Sequence, residues 1–168
     1  MRLLLFSLLV AAPLARAQAV AVDRIVASVD TRAITRSMVD ARVKQGTTNR
    51  VEARDALIEE ALIALDAERL GLSITDAEVD RALHEIAQSN HLTEAQLYDA
   101  LKQQGYELAS YREALRTQLR SMRWVLNRAG DSLPREPLER AAGLDAARKR
   151  LLEKLRATTS VELRGGQP

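Results

Sequence analysis

The stretch from Leu70 to Gly105, "LGLSITDAEVDRALHEIAQSNHLTEAQLYDALKQQG", decides the fold because it marks the beginnings and ends of helices. Two residue pairs have the spacing of a capping box: Thr75 with Glu78, and Thr93 with Gln96. Residues that tolerate the left-handed conformation stand where helices should end: Gly71, Asn90 and Gly105. Apolar residues recur between these marks at helical spacing. The stretch therefore predicts two short amphipathic helices joined by a tight turn.

Similar signals on both sides extend the helical prediction. Asn49 with Glu52 should begin the preceding helix, which Gly71 ends, and Ser110 with Glu113 should begin the following one, which ends at Gly130. Thr35 or Ser37 can cap a short helix that stops near Gly46. From Leu144, "LDAARKRLLEKLRA" predicts a last helix. The fold should be mainly α.

Strand signals occur only near the two ends of the chain. "VDRIVASV" (Val22–Val29) alternates and is rich in β-branched residues, and a turn and a brief return strand follow it. Near the other end, Thr158–Arg164 alternates, with Val161 and Leu163 on one side. A lone strand cannot satisfy its backbone N–H and C=O groups, so this strand must pair with another.

The first residues predict export. "MRLLLFSLLVAAPLARAQA" has a basic start, an apolar run and a small-residue site, which is typical of a signal peptide (residues 1–17) cleaved after Ala17. The apolar run is too short for a membrane span. The chain has 25 basic and 23 acidic residues, and removal of Arg2 and Arg16 leaves it neutral. We therefore expect a periplasmic protein that neither binds nucleic acid nor inserts stably into a membrane.

Residues for catalysis or metal binding are not evident. The chain has two histidines, His84 and His91, and no cysteine. In "HEIAQ", Gln88 stands where a zinc-protease helix would need its second histidine. The sequence contains no phosphate-binding or nucleophile motif. We expect no catalytic residues, no metal and no cofactor.

One charged pattern allows two interpretations. Four arginines follow a single helical stripe: Arg112, Arg116, Arg120 and Arg123. The stripe could bind an acidic partner, or it could be an ordinary solvated face with Glu107 and Glu113 nearby. The solvated face is favoured.

Several segments in order resemble a known family. "VDRIVASVDTRAITRSMVD", "ERLGLSITDAEVD", "NHLTEAQL" and "YREALRTQLR" are similar to the N-terminal chaperone region of SurA-type periplasmic folding factors. Related segments open the PpiD and PrsA foldases. The resemblance covers about Val22 to Asn127. It implies an ATP-independent secreted chaperone that holds unfolded outer-membrane protein precursors in an apolar groove.

The family also suggests a partner for the last strand. In SurA-like proteins a helix and a strand from the far end of the chain complete the chaperone core, and "ARKRLLEKLRATTSVELR" resembles that piece. The strand Ser160–Arg164 would then pair with the Val22–Val29 hairpin in a small antiparallel sheet. The expected division is a core at 18–129, a linker at 130–143, a closing helix and strand at 144–164, and a disordered tail at 165–168.

This sequence departs from the family at the linker. In SurA, parvulin-type prolyl isomerase domains occupy the position where this chain has only residues 130–143, so isomerase activity is not carried over. Prolyl isomerase and an adaptor for one folded partner remain as alternatives. The oligomeric state stays open. The expected client-binding residues are apolar and aromatic: Leu97, Tyr98, Leu101, Tyr106, Met122 and Trp124.

Overall fold

The computed structural model describes residues 23–46 and 49–164. The predicted signal peptide, 1–17, and the predicted tail, 165–168, lie outside the described residues. In chain order the elements are β1 (Ile25–Val29), β2 (Arg32–Thr35), α1 (Arg36–Lys44), α2 (Arg50–Arg69), α3 (Asp76–Ser89), α4 (Glu94–Gln103), α5 (Leu108–Ala129), a 3-10 turn (Gly130–Ser132), α6 (Pro137–Thr158) and β3 (Val161–Leu163). The prediction of a mainly helical fold with a small antiparallel sheet is confirmed.

The sheet unites strands from both ends of the described chain. Its order is β2-β1-β3, and both neighbours of β1 are antiparallel to it. Ser28 lies opposite Glu162, and the backbone N–H of Asp30 donates to the carbonyl of Ser160 over 2.8 Å. The last strand therefore pairs with the first, as the sequence predicted.

One side chain of the last strand differs from expectation. Val161 is half-buried against the main core, but Leu163 is 61% exposed. Of the apolar residues of β3, only Val161 packs against the core, and Leu163 lies beyond the end of that cluster. The alternation correctly predicted a strand but did not predict how far the core extends beside it.

The helix caps confirm most of the start signals. The hydroxyl of Thr75 accepts from the backbone N–H of Glu78 over 3.3 Å, and the Glu78 carboxylate accepts from the Thr75 N–H over 2.9 Å. Thr93 and Gln96 form the same reciprocal pair, and the Asn49 side chain caps α2. At the end of α3 the left-handed residue is His91, with φ of 56°, rather than Asn90.

Two helix starts differ from the prediction. Helix α5 begins at Leu108, so Ser110 lies inside its first turn, and the Glu113 carboxylate contacts Arg116 instead of capping the helix. Helix α6 begins at Pro137 rather than Leu144. Proline suits the first helical position because its fixed φ is helical and its missing N–H is not needed there.

Because α6 begins early, Gly143 is a helix residue and not the linker residue that the sequence suggested. Gly143 lies within α6, and a Cβ atom there would approach the Cδ atom of Pro134 to 2.8 Å. The glycine therefore lets the chain before the helix lie directly against it. Gly130 has helical dihedral angles and leads α5 into the 3-10 turn.

The buried side chains form two separate clusters. The main cluster joins the sheet and helices α1, α2 and α6 with the second half of α5, and it includes Ile34, Leu62, Trp124 and Leu152. The second cluster joins α3, α4 and the first half of α5: Val79, Leu83, Ala87, Leu97, Leu101 and Leu115. Helix α5 therefore belongs to both clusters and connects them.

Candidate binding grooves

The separation of the two clusters leaves a wide groove on one side of α5. This interlobe groove has a volume of about 1290 Å³, and its lining comes from α1, α2, α5, α6 and the end of α4. Along α5 its lining includes the small side chains of Ala114, Thr117 and Ser121, with the charged Glu113 and Arg120 among them. Small side chains let another polypeptide backbone approach the helix closely. The α5 side of the groove is therefore open.

Apolar and charged side chains share the walls of the interlobe groove. Tyr106, which is 38% exposed, and Met122, which is 52% exposed, provide its accessible apolar surface. On the opposite wall, Arg42 donates two hydrogen bonds of 2.7 and 2.8 Å to the Glu60 carboxylate, which raise the pKa of Arg42. Arg148 lines the same wall and donates to Glu59 over 3.2 Å. The rim of the interlobe groove thus carries both positive and negative side chains.

A smaller and more apolar groove lies between α3 and the second half of α5. This apolar cleft has a volume of about 540 Å³. Its apolar lining residues are Leu72, Ile74, Ala82, Leu119, Met122 and Leu126. Met122 lines both the apolar cleft and the interlobe groove. An unbranched, adaptable thioether side chain therefore lies where the two grooves meet.

The predicted client-binding residues occupy three kinds of position. Tyr106 and Met122 are exposed and line the interlobe groove. Tyr98 is half-exposed and lies outside the linings of both grooves. Leu97 and Leu101 are buried in the second cluster, although Leu101 also lines the base of the interlobe groove. The structure therefore brings only part of the predicted set together.

Trp124 is a core residue rather than a surface residue. It has no exposed area, and its indole Nε1–H donates to the Asp66 carboxylate over 2.7 Å. Arg128 donates to both oxygens of the same carboxylate over 2.7 to 3.0 Å. Burial alone would raise the pKa of Asp66, but the bonds from Trp124 and Arg128 outweigh it and hold the pKa below its ordinary value. This cluster joins α2 to α5.

The arginine stripe of α5 is largely occupied by α3. Arg112 pairs with Asp80, Arg116 pairs with Asp76, and Arg123 pairs with Glu78. The hydrogen bonds from Arg123 and from the Thr75 cap lower the pKa of Glu78 to about 2. Since three of the four arginines already have carboxylate partners, the stripe offers little free charge to an acidic partner.

Neither a metal centre nor a membrane span is found in residues 23–46 and 49–164. No cluster of acidic and histidine side chains there could hold a metal ion, and no helix there is both long and apolar enough to cross a membrane. His84 contacts Glu94 and Gln88, each over 2.9 Å, and so takes part in local hydrogen bonds at the surface.

Comparison with known proteins agrees with the sequence resemblance. The family model described as the SurA N-terminal domain matches residues 47–124. Chaperone SurA of Saccharophagus degradans is 32% identical over 123 residues, which is 65% of this chain and 29% of the relative. Chaperone SurA of Ralstonia nicotianae is 37% identical over 112 residues, 58% of this chain and 23% of the relative. The putative peptidyl-prolyl cis-trans isomerase SurA of Haemophilus influenzae is 33% identical over 98 residues, 58% of this chain and 31% of the relative.

A solved structure supports the fold. It is one of two structurally related SurA-like chaperones of Campylobacter jejuni, the virulence factor PEB4 and the periplasmic protein Cj1289. The TM-score is 0.54 at 23% identity, covering 64% of this chain and 43% of that chain. The matched part of this chain spans less than a third of the length of each of the three curated relatives named above.

Proposed function

We propose that this chain, which shares its sequence pattern and its fold with the N-terminal domain of SurA, is an ATP-independent periplasmic chaperone. Its clients are unfolded, apolar-rich chains, chiefly precursors of outer-membrane β-barrels. The observation that carries the proposal is the pair of open grooves that meet at Met122. Relatives named Chaperone SurA support it.

The groove chemistry suits a binder of many sequences. Met122 and Tyr106 offer apolar contact area without a rigid pocket, and the small residues of α5 leave room for different side chains. The mixed charges of the rim impose no strong selection on the client's charge. Such a surface binds weakly and broadly, as retention of an unfolded chain requires.

We expect no prolyl isomerase activity. Between the end of α5 and the start of α6 the chain has only residues 130–136, of which three form a 3-10 turn. That segment is too short for a catalytic domain. A refolding reaction limited by proline isomerisation, which takes tens of seconds or longer without catalysis, should not accelerate when the protein is added.

Aggregation of a urea-unfolded porin after dilution tests the chaperone proposal directly. The protein should suppress light scattering at stoichiometric amounts without ATP. The double variant Met122→Ser with Tyr106→Ser should suppress it several-fold less well. Leu163→Ser removes a similarly exposed apolar side chain outside both grooves and serves as the control. If the wild-type protein does not suppress scattering, the chaperone proposal fails.

Cellular location and the adaptor alternative have separate tests. Export with cleavage after Ala17 predicts that the protein purified from the periplasm begins at Gln18, which N-terminal sequencing would check. Affinity capture from periplasm should yield many unfolded clients. A single stoichiometric folded partner would instead favour an adaptor, although the occupied arginine stripe speaks against it.

A further inference from the structure

The second core cluster lies between the two grooves. Leu101 belongs to this cluster and also lines the interlobe groove. Leu119 packs against the same cluster and lines the apolar cleft on the other side. A client bound in either groove therefore touches the margin of a buried apolar layer.

The α3–α4 hairpin, residues 76–103, covers this cluster and has few other attachments. Helices α3 and α4 make their main tertiary contacts with each other and with α5. By contrast, α2 contacts α1, α5, α6 and the sheet. Contacts between the hairpin and the main cluster are therefore few compared with those that hold α2.

Ion pairs and hydrogen bonds link the hairpin to α5 along one edge. Arg112 and Arg116 pair with Asp80 and Asp76 of α3, whose side chains are 60% and 80% exposed. Arg123 adds a bond to Glu78 and another to the backbone carbonyl of Ser73. Within the described residues, the ion pairs that join the hairpin to α5 all involve α3. The arginines of the first two pairs are only 26% and 21% exposed, and the Arg123–Glu78 pair is part-buried, so this edge restrains the hairpin more than fully exposed ion pairs would.

A glycine in the left-handed region stands where the chain enters the hairpin and another where it leaves. Gly71 precedes α3 with φ of 68°, and Gly105 follows α4 with φ of 82°. No heavy atom lies within 4 Å of a Cβ built at either glycine. Each glycine caps the helix before it through backbone hydrogen bonds of 3.0 Å, from Gly71 to Glu68 and from Gly105 to Lys102, so the hairpin would turn about two short connections next to these caps.

We propose that the α3–α4 hairpin opens away from α5 and that the exposed second cluster is the site that binds apolar segments of an unfolded chain. This inference rests on the proposed chaperone function and specifies its binding surface. Opening exposes six side chains: Val79, Leu83, Ala87, Leu97, Leu101 and Leu115. Exposure of these side chains makes the open form a minor population, and the ion-pair edge lowers that population further, so loss of the edge raises the open fraction and the apparent affinity.

A cleavable crosslink tests the proposal without disturbing the core. The chain has no cysteine, so Asp80→Cys with Arg112→Cys gives one defined pair across the hairpin edge. A bis-maleimide reagent with a reducible linker joins the two. Arg32→Cys with Glu68→Cys places the same crosslink at an exposed ion pair between β2 and α2, away from the hairpin. Binding is measured by the fluorescence anisotropy of a dye-labelled, urea-unfolded porin.

The expected result is a loss of affinity that reduction reverses. The hairpin crosslink should raise the Kd at least tenfold, and the control crosslink should leave it unchanged. Conversely, the double variant Arg112→Gln with Arg116→Gln loses two ion pairs and should lower the Kd by on the order of tenfold. The same variant should speed amide hydrogen exchange in α3 and α4 but not in α2.

The other possible results contradict hairpin opening, client binding at the exposed cluster, or the chaperone function. An unchanged Kd in the crosslinked protein overturns hairpin opening but leaves the chaperone function intact. Absence of porin binding by the wild-type protein overturns the proposed function and the binding site together. Faster amide exchange in α3 and α4 without any change in Kd would show that the hairpin opens but does not bind clients, which also overturns the inference.

Discussion

Replacing Asp66 by alanine should destabilise the protein severely, because this carboxylate joins α2 to α5 inside the main core. Asp66 is only 5% exposed, and it accepts hydrogen bonds from the Trp124 indole and from the Arg128 guanidinium. Alanine would leave the indole N–H without an acceptor at a site with no access to water. It would also leave Arg128 without its carboxylate.

The magnitude follows from the burial of each partner. A buried donor without an acceptor costs about 1–3 kcal/mol. The Arg128 side chain is 39% exposed, so water can hydrate it in part when the Asp66 carboxylate is removed. Loss of the Arg128–Asp66 ion pair therefore adds about 1 kcal/mol, rather than the larger cost of a fully buried unpaired charge. We expect a total of about 2–4 kcal/mol, against a typical stability of about 5–15 kcal/mol. Asp66→Asn keeps an acceptor for the indole and should cost about half as much.

Urea unfolding provides the measurement. Trp124 is the only tryptophan and is fully buried, so its fluorescence reports on the main core. Asp99→Ala removes an exposed carboxylate and should change stability by less than about 0.5 kcal/mol. A cost below about 1 kcal/mol for Asp66→Ala would refute the assignment of this cluster as the joint between the helices.

Three further predictions follow from burial, acid–base behaviour and close packing. In the same urea assay, Leu152→Ala should cost about 2–5 kcal/mol because the side chain is buried, whereas Leu163→Ala, at the exposed sheet edge, should cost less than about 0.5 kcal/mol. Ionised Glu78 stabilises the fold above about pH 4.5, and this contribution is lost as pH falls towards the lowered pKa of about 2. The urea midpoint of Glu78→Gln should therefore fall less between pH 6 and pH 3 than the midpoint of the wild-type protein. Gly143→Ala should lower the melting temperature because its Cβ atom would collide with Pro134, although this exchange ordinarily stabilises a helix.

Local signals explain why much of the fold could be predicted from the sequence. Capping boxes are local in sequence, and the side chains of Thr75 and Thr93 bond only residues three positions away. Such contacts depend little on the rest of the protein, so their spacing identifies helix starts. The pairing of the last strand was predicted for a different reason: its backbone groups require a partner, and the family resemblance indicated which one.

The candidate site was less predictable because burial is a property of the assembled fold. The helical spacing of apolar residues does not show whether their face is covered by another helix. The structure shows that Leu97, Leu101 and Trp124 are buried. Their apolar character predicted contact but not whether the contact would be internal. The small residues that line the interlobe groove, such as Ala114, gave no sequence signal, because only the helices placed around them make them a groove.

The pairing of β1 with β3 has a consequence for the order in which the chain can fold. Ser28 and Glu162 lie opposite each other although almost the whole described chain separates them. Closing so long a loop is entropically costly, and a chain that emerges from its N-terminus cannot complete this pairing until β3 has also emerged. A nascent or truncated product therefore keeps an unprotected strand edge, and degradation by proteases can remove incomplete molecules before they accumulate.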